Sequence, residues 1–116
     1  MERKTVQVRG KLVDRVPESL YTFMRQNGGE DVERYTGAGF DVIVADQYSF
    51  RTNSDLQATL ILEDDGTNQL SVTLLAGGGG HGLIRWDWGA ESSHIEALVS
   101  TLEEVCDQWG LTIDPE

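Results

Sequence analysis

Two histidines, one cysteine and a run of glycines are the first residues here that chemistry would recruit: His81, His94, Cys106 and Gly77 to Gly80. Gly77, Gly79 and Gly82 match the spacing G-x-G-x-x-G after an apolar run. That motif holds a pyrophosphate because a helix N-terminus follows it. The residues after Gly82 are Leu-Ile-Arg-Trp-Asp-Trp-Gly, which alternate as a strand does. Neither Lys nor Ser/Thr follows Gly82, as a phosphate-binding P-loop would require. The glycine run therefore reads as a bent connection between strands, not as a nucleotide cradle. His81, His94 and Cys106 lack the spacing of a zinc signature, and Cys106 falls on an apolar helical stripe, a poor place for a nucleophile. Asp64, Asp65, Thr67 and Asn68 carry oxygen donors, but they lack the alternating ligands and closing Glu of a calcium loop.

The densest aromatic spot is Trp86-Asp87-Trp88, directly after the glycines. In a strand both indoles share one face and pack under a covering helix near Trp109. Alternatively they line a pocket at the open end of a sheet, beside Tyr48 and Phe50. The candidate ligand-binding set for a small apolar ligand is then Gly79, Gly80, His81, Arg85, Trp86 and Trp88. An enzyme reading would use Asp87 and Glu91 with His81. No paired nucleophile and base supports it, so no catalytic residue, metal ligand or cofactor is assigned.

The elements that must position these residues follow from periodicity. Residues 4–14 alternate, with Val6, Val8 and Leu12 on one side, as a half-buried strand. Pro17 suits a first helical turn, Leu20, Phe23 and Met24 share a helical face, and Asn27-Gly28-Gly29 stops that helix. Residues 29–39 are polar and read as a loop. Phe40 to Ala45 reads as a strand buried on much of both faces. Residues 55–63 and 69–76 alternate around Asp64-Asp65-Gly66-Thr67-Asn68, which makes a β-hairpin. Leu83 to Trp88 is a further short strand. Ser93 and Glu96 form a capping box. Ile95, Leu98, Val99, Leu102, Val105, Cys106 and Trp109 then make one apolar helical stripe, stopped by Gly110. Residues 111–116 read as a tail. The fold class is α+β, a single two-layer domain over residues 1–116. Its order is β-α-β-β-β-β-α, with the last helix on one face of a mostly antiparallel sheet.

The second face of that sheet is expected to carry Thr5, Gln7, Arg9, Asp41, Ile43, Gln57, Thr59, Ile61, Ser71, Thr73 and Leu75. Most are polar, as a solvated face requires. Ile43, Ile61 and Leu75 lie mid-strand and form a candidate interface for self-association into a homodimer.

A length of 116 residues fits one domain that buries roughly 65% of its unfolded surface without staples. One cysteine excludes an intramolecular disulfide, which suits a reducing cytoplasm. The first residues show no export signal, and no stretch reaches the roughly 20 apolar residues of a membrane span. Twenty acids face nine bases, for a net charge of −11, and Lys4 and Lys11 are the only lysines. A basic surface for nucleic acid is thereby excluded. The acids are spread along the whole chain, and such a lysine-poor surface resembles that of proteins from salt-loving archaea. Molar salt shortens the screening length to about 3 Å and removes most of the mutual repulsion.

The stretch from Leu74 through the glycines to Glu91, with the long helix after it, resembles small uncharacterised prokaryotic domains. Their order is similar to a reduced START-like or helix-grip domain. The resemblance covers residues 40–109 and implies a sheet gripped by a C-terminal helix and a lipophilic pocket. The chain is shorter than START proteins, which use more strands to enclose a deep cavity, and no catalytic residue transfers. The expected function is a non-enzymatic module that binds a small apolar ligand or another protein, self-association included.

Overall fold

The computed structural model describes residues 2–27, 31–48, 56–78 and 88–115, with side chains described within 2–27, 31–45, 57–77 and 95–114. The elements run β1 (Glu2–Arg9), a 3-10 turn (Val13–Arg15), α1 (Val16–Asn27), β2 (Asp31–Gly37), β3 (Phe40–Tyr48), β4 (Leu56–Asp64), β5 (Gln69–Gly78), α2 (Trp88–Trp109) and β6 (Thr112–Pro115). Among the described residues the strands form one six-stranded sheet in the order β2-β3-β4-β5-β1-β6. Every pairing in it is antiparallel. The α+β class therefore holds; the described elements run β-α-β-β-β-β-α-β, strands at 31–37 and 112–115 join those expected, and residues 83–87 of the expected strand after the glycines lie outside the described residues.

The hairpin is the centre of the sheet, as its alternation requires. Ala58, Leu60 and Leu62 of β4 lie opposite Ala76, Leu74 and Val72 of β5, and all six are buried. Val6 and Val8 of β1 extend the same face opposite Val72 and Leu70. Both helices close over this face. Leu20 and Met24 of α1, and Leu98, Leu102, Val105 and Cys106 of α2, belong to one continuous core with the strand residues. The α2 stripe falls where the sequence puts it, widened by Ala97 and by Thr101, whose buried hydroxyl donates to the Ala97 carbonyl at 3.0 Å.

Gly110 ends α2 at φ 69°. The Leu111 N–H then reaches the Cys106 carbonyl at 2.8 Å, and the Gly110 N–H reaches that of Asp107 at 3.3 Å. This pair of bonds is a Schellman cap, which a residue with positive φ makes possible. The cap turns the chain back, so residues 112–115 are not a tail. They pair with Val6 to Arg9 as β6, the strand next to β1.

Four further expectations are corrected. The first strand stops at Arg9 because Gly10 takes φ 147° and turns the chain, its N–H donating to the Asn68 carbonyl at 3.0 Å. Leu12 is consequently 40% exposed, while Val13 enters the core. Residues 31–37 form an edge strand, not a loop. Only Val32 of this strand is buried, so the segment has no apolar alternation to reveal it, and backbone pairing to β3 supports it instead. Ser93 lies inside α2, five residues after its start, so it is not the residue at which the helix begins. Trp88 is the first residue of that helix, not the last of a strand.

Candidate functional site

With both helices on one side, the other face of the sheet is a surface to which no described element is docked. Its composition follows from the register. One row across the sheet reads Glu33, Val44, Thr59, Leu75, Arg3, from β2 to β1. The next reads Tyr35, Val42, Ile61, Thr73, Thr5. Val42, Val44, Ile61 and Leu75 are half-buried, and no described element lies over them, whereas Tyr35 is 74% exposed. Glu33 and Arg3, at the two flanks, are exposed.

Of the three residues expected to form an interface, two lie on this outer face. Ile61 and Leu75 lie on the outer face, one row apart. Ile43 does not: it stands opposite Leu60 and is fully buried in the core. Asp41 likewise lies on the helix side, opposite Leu62. The run Phe-Asp-Val-Ile-Val-Ala is apolar in both phases, so alternation alone cannot orient it. The orienting contact is electrostatic. Arg34 Nε donates to Asp41 Oδ2 at 2.8 Å, and the Thr36 hydroxyl donates to the same oxygen at 2.8 Å. The pair is only 28% and 14% exposed at Arg34 and Asp41, so the carboxylate is satisfied at the rim of the core instead of in solvent. Inverting the phase of β3 replaces one outward Ile by two outward Val, and the outer face gains apolar area.

The polar part of this face is internally bonded. The Thr5 and Thr73 hydroxyls lie 3.3 Å apart, Gln7 Nε2 donates to the Ser71 hydroxyl at 3.3 Å, and Gln69 Nε2 donates to Gln7 Oε1 at 2.8 Å. Arg9 pairs with Asp114 across to β6 at 3.1 Å, an exposed bridge worth well under 1 kcal/mol. At the β2 edge, the Phe40 ring lies over Gly37, filling the space a Cβ there would occupy.

The candidate ligand set is not assembled by the described residues. Gly79, Gly80, His81, Arg85 and Trp86 lie outside them, as do Asp87 and Phe50, and the side chains of Trp88, Tyr48, Glu91 and His94 do too. The indoles expected near Trp109 lie outside the described side chains, and Trp109 packs against α1. Its Nε1 donates to the Ser19 hydroxyl at 2.8 Å, and the Arg15 guanidinium sits 5.6 Å from its ring centroid. These residues, with Thr22, Phe23 and Gln108, border an open groove of about 370 Å³. The hydrogen bond and the cation–π contact engage Ser19, Arg15 and Trp109 within it.

Cys106 is a core residue, as expected. Burial, with Asp107 and Glu103 adding to it, pushes its thiol up to about 11. The hairpin turn uses its acids locally. Asp64 Oδ1 accepts from the Gly66 N–H at 2.8 Å, and Asp65 Oδ1 accepts from the Thr67 N–H at 2.9 Å and its hydroxyl at 2.5 Å. The Thr67 bonds hold the Asp65 carboxyl below its ordinary range. Among the described residues no group of three His, Cys, Asp or Glu is placed to hold a metal ion, and no helix is long and apolar enough to cross a membrane. No protein-family model, curated protein or solved structure matches the chain.

Proposed function

We propose that this chain is a non-enzymatic interaction module that self-associates through the outer face of its sheet. The observation that carries this reading is the apolar band Tyr35, Val42, Val44, Ile61 and Leu75. It crosses four adjacent strands on a face that none of the described elements covers. A solvated antiparallel face is ordinarily polar at such positions, and contiguous apolar patches on soluble domains mark contacts. The size is adequate. Five strands about 4.8 Å apart and about seven residues long present a footprint of roughly 600 Å² per copy, near the lower end of specific interfaces.

Sedimentation equilibrium tests it. The wild-type chain should form dimers at tens to hundreds of micromolar in about 1 M KCl, where charge repulsion is screened. Ile61→Asp, which puts a carboxylate at the centre of the face, should remain folded and monomeric. A wild-type chain that stays monomeric throughout that range rules the reading out. The acidic, lysine-poor composition fits a protein working at high salt, where such an association is least opposed by the net charge of −11.

A further inference from the structure

The row Glu33, Val44, Thr59, Leu75, Arg3 reads acid, apolar, polar, apolar, base across β2-β3-β4-β5-β1. Turned end for end, it matches itself with the charges exchanged. We infer that two copies pack their outer faces about a two-fold axis parallel to the strands and centred on β4, so that Glu33 of each copy meets Arg3 of the other; the inference rests on the proposed self-association.

The geometry follows from the strand order. A two-fold axis along the strands reverses the order of strands across the sheet but not the position along each strand. Centred on β4, it sets β2 over β1 and β3 over β5. Val44 then faces Leu75 of the second copy, and Thr59 faces its own counterpart. In the next row Ile61 meets Ile61 of the second copy at the middle, and Tyr35 lies over Thr5. Twisted sheets stack about 10 Å apart with strands rotated by about 30°. Strands two places from the axis are about 10 Å away from it, so the rotation offsets facing flank residues by about 5 Å, within the reach of Glu and Arg side chains. The alternative two-fold axis, perpendicular to the strands, sets β2 over β2 and brings Glu33 toward its own counterpart. Like charges then oppose one another at both flanks, which a face with this distribution disfavours.

Charge reversal at both positions distinguishes these arrangements from one another and from a general effect of net charge. In about 0.15 M KCl, Glu33→Arg and Arg3→Glu should each weaken the dimer about tenfold or more, because each turns two attractive contacts repulsive. The double variant, Glu33→Arg with Arg3→Glu, should return to within about threefold of wild type. An equimolar mixture of the two single variants should form the heterodimer in preference to either homodimer. All these differences should shrink in about 1 M KCl, where the screening length is about 3 Å. Net charge acting alone would separate the singles: Arg3→Glu makes the chain more negative and would weaken association, whereas Glu33→Arg makes it less negative and would strengthen it. That outcome, or singles that leave the affinity unchanged, overturns the strand-parallel arrangement while a wild-type dimer abolished by Ile61→Asp keeps the contact face. A wild-type chain that never dimerises removes both. Circular dichroism and thermal unfolding at a few micromolar keep the comparison to folded proteins, and both substituted positions are exposed.

Discussion

The phase of β3 decides which residues the outer face presents, and a pair of adjacent substitutions tests it. Ile43 is fully buried opposite Leu60, while Val44, one residue on, is half-buried on the outer face opposite Thr59. Ile43→Ala removes buried methyl and methylene groups and leaves a cavity that the neighbouring Leu60 fills only in part. Such truncations cost about 2–5 kcal/mol, and about 3 kcal/mol is expected here. Val44→Ala on the monomer loses strand propensity and partial packing, at about 0.5–1 kcal/mol. Unfolding entropy near 2.1 cal/mol/K per residue gives this chain about 0.24 kcal/mol/K, so Tm should fall by about 12 °C for Ile43→Ala and by about 2–4 °C for Val44→Ala. Thermal unfolding followed by far-UV circular dichroism at a few micromolar, where the monomer dominates, measures both. Equal losses, or the larger loss at Val44, would mean that β3 is inverted and that the outer-face patch is built from the wrong residues.

Two other consequences are quickly measured. Cys106, with its thiol raised to about 11, should react with thiol reagents at pH 8 only after unfolding, since native protein offers on the order of one thiolate in a thousand. Because the folded thiol titrates above its unfolded value near 9, its contribution to stability is present below pH 9 and is lost as pH rises toward 11; labelling that proceeds at the unfolded rate in native buffer would contradict the buried placement. Thermal stability should be higher in about 3 M KCl than in about 0.1 M, because screening relieves the repulsion among twenty acids; equal stability in both would remove the high-salt reading.

Legibility in the sequence followed the strength of each local signal. The hairpin, the core stripe of α2 and the Gly110 stop were readable because apolar spacing and a positive-φ glycine each specify one structure. The strand Asp31–Gly37 was not, because an edge strand with one buried side chain takes its stability from backbone pairing, which leaves no mark in hydropathy. β6 was hidden for the same reason, in four residues whose direction is set by the cap before them. The phase of β3 was ambiguous because Asp41 looks like a solvent-facing residue until Arg34 and Thr36 are known to surround it. Alternation from Asp41 puts Ile43 on the outer face, where the structure has Val42 and Val44. A direct clue was present: Arg34 and Asp41 are seven residues apart around Gly37-Ala38-Gly39, a spacing that brings a cation and an anion together across a two-strand turn. The proposed ligand corner draws mainly on the segment 79–87, outside the described residues, so the site that emerged is the one the regular elements build.

The central claim is that the outer sheet face joins two copies of this chain. Sedimentation equilibrium of wild type beside Ile61→Asp, in about 1 M KCl and across tens to hundreds of micromolar, tests it most directly. The expected result is a reversible dimer for wild type and a folded monomer for the variant. A monomeric wild type, or a dimer that persists in Ile61→Asp, would contradict the claim.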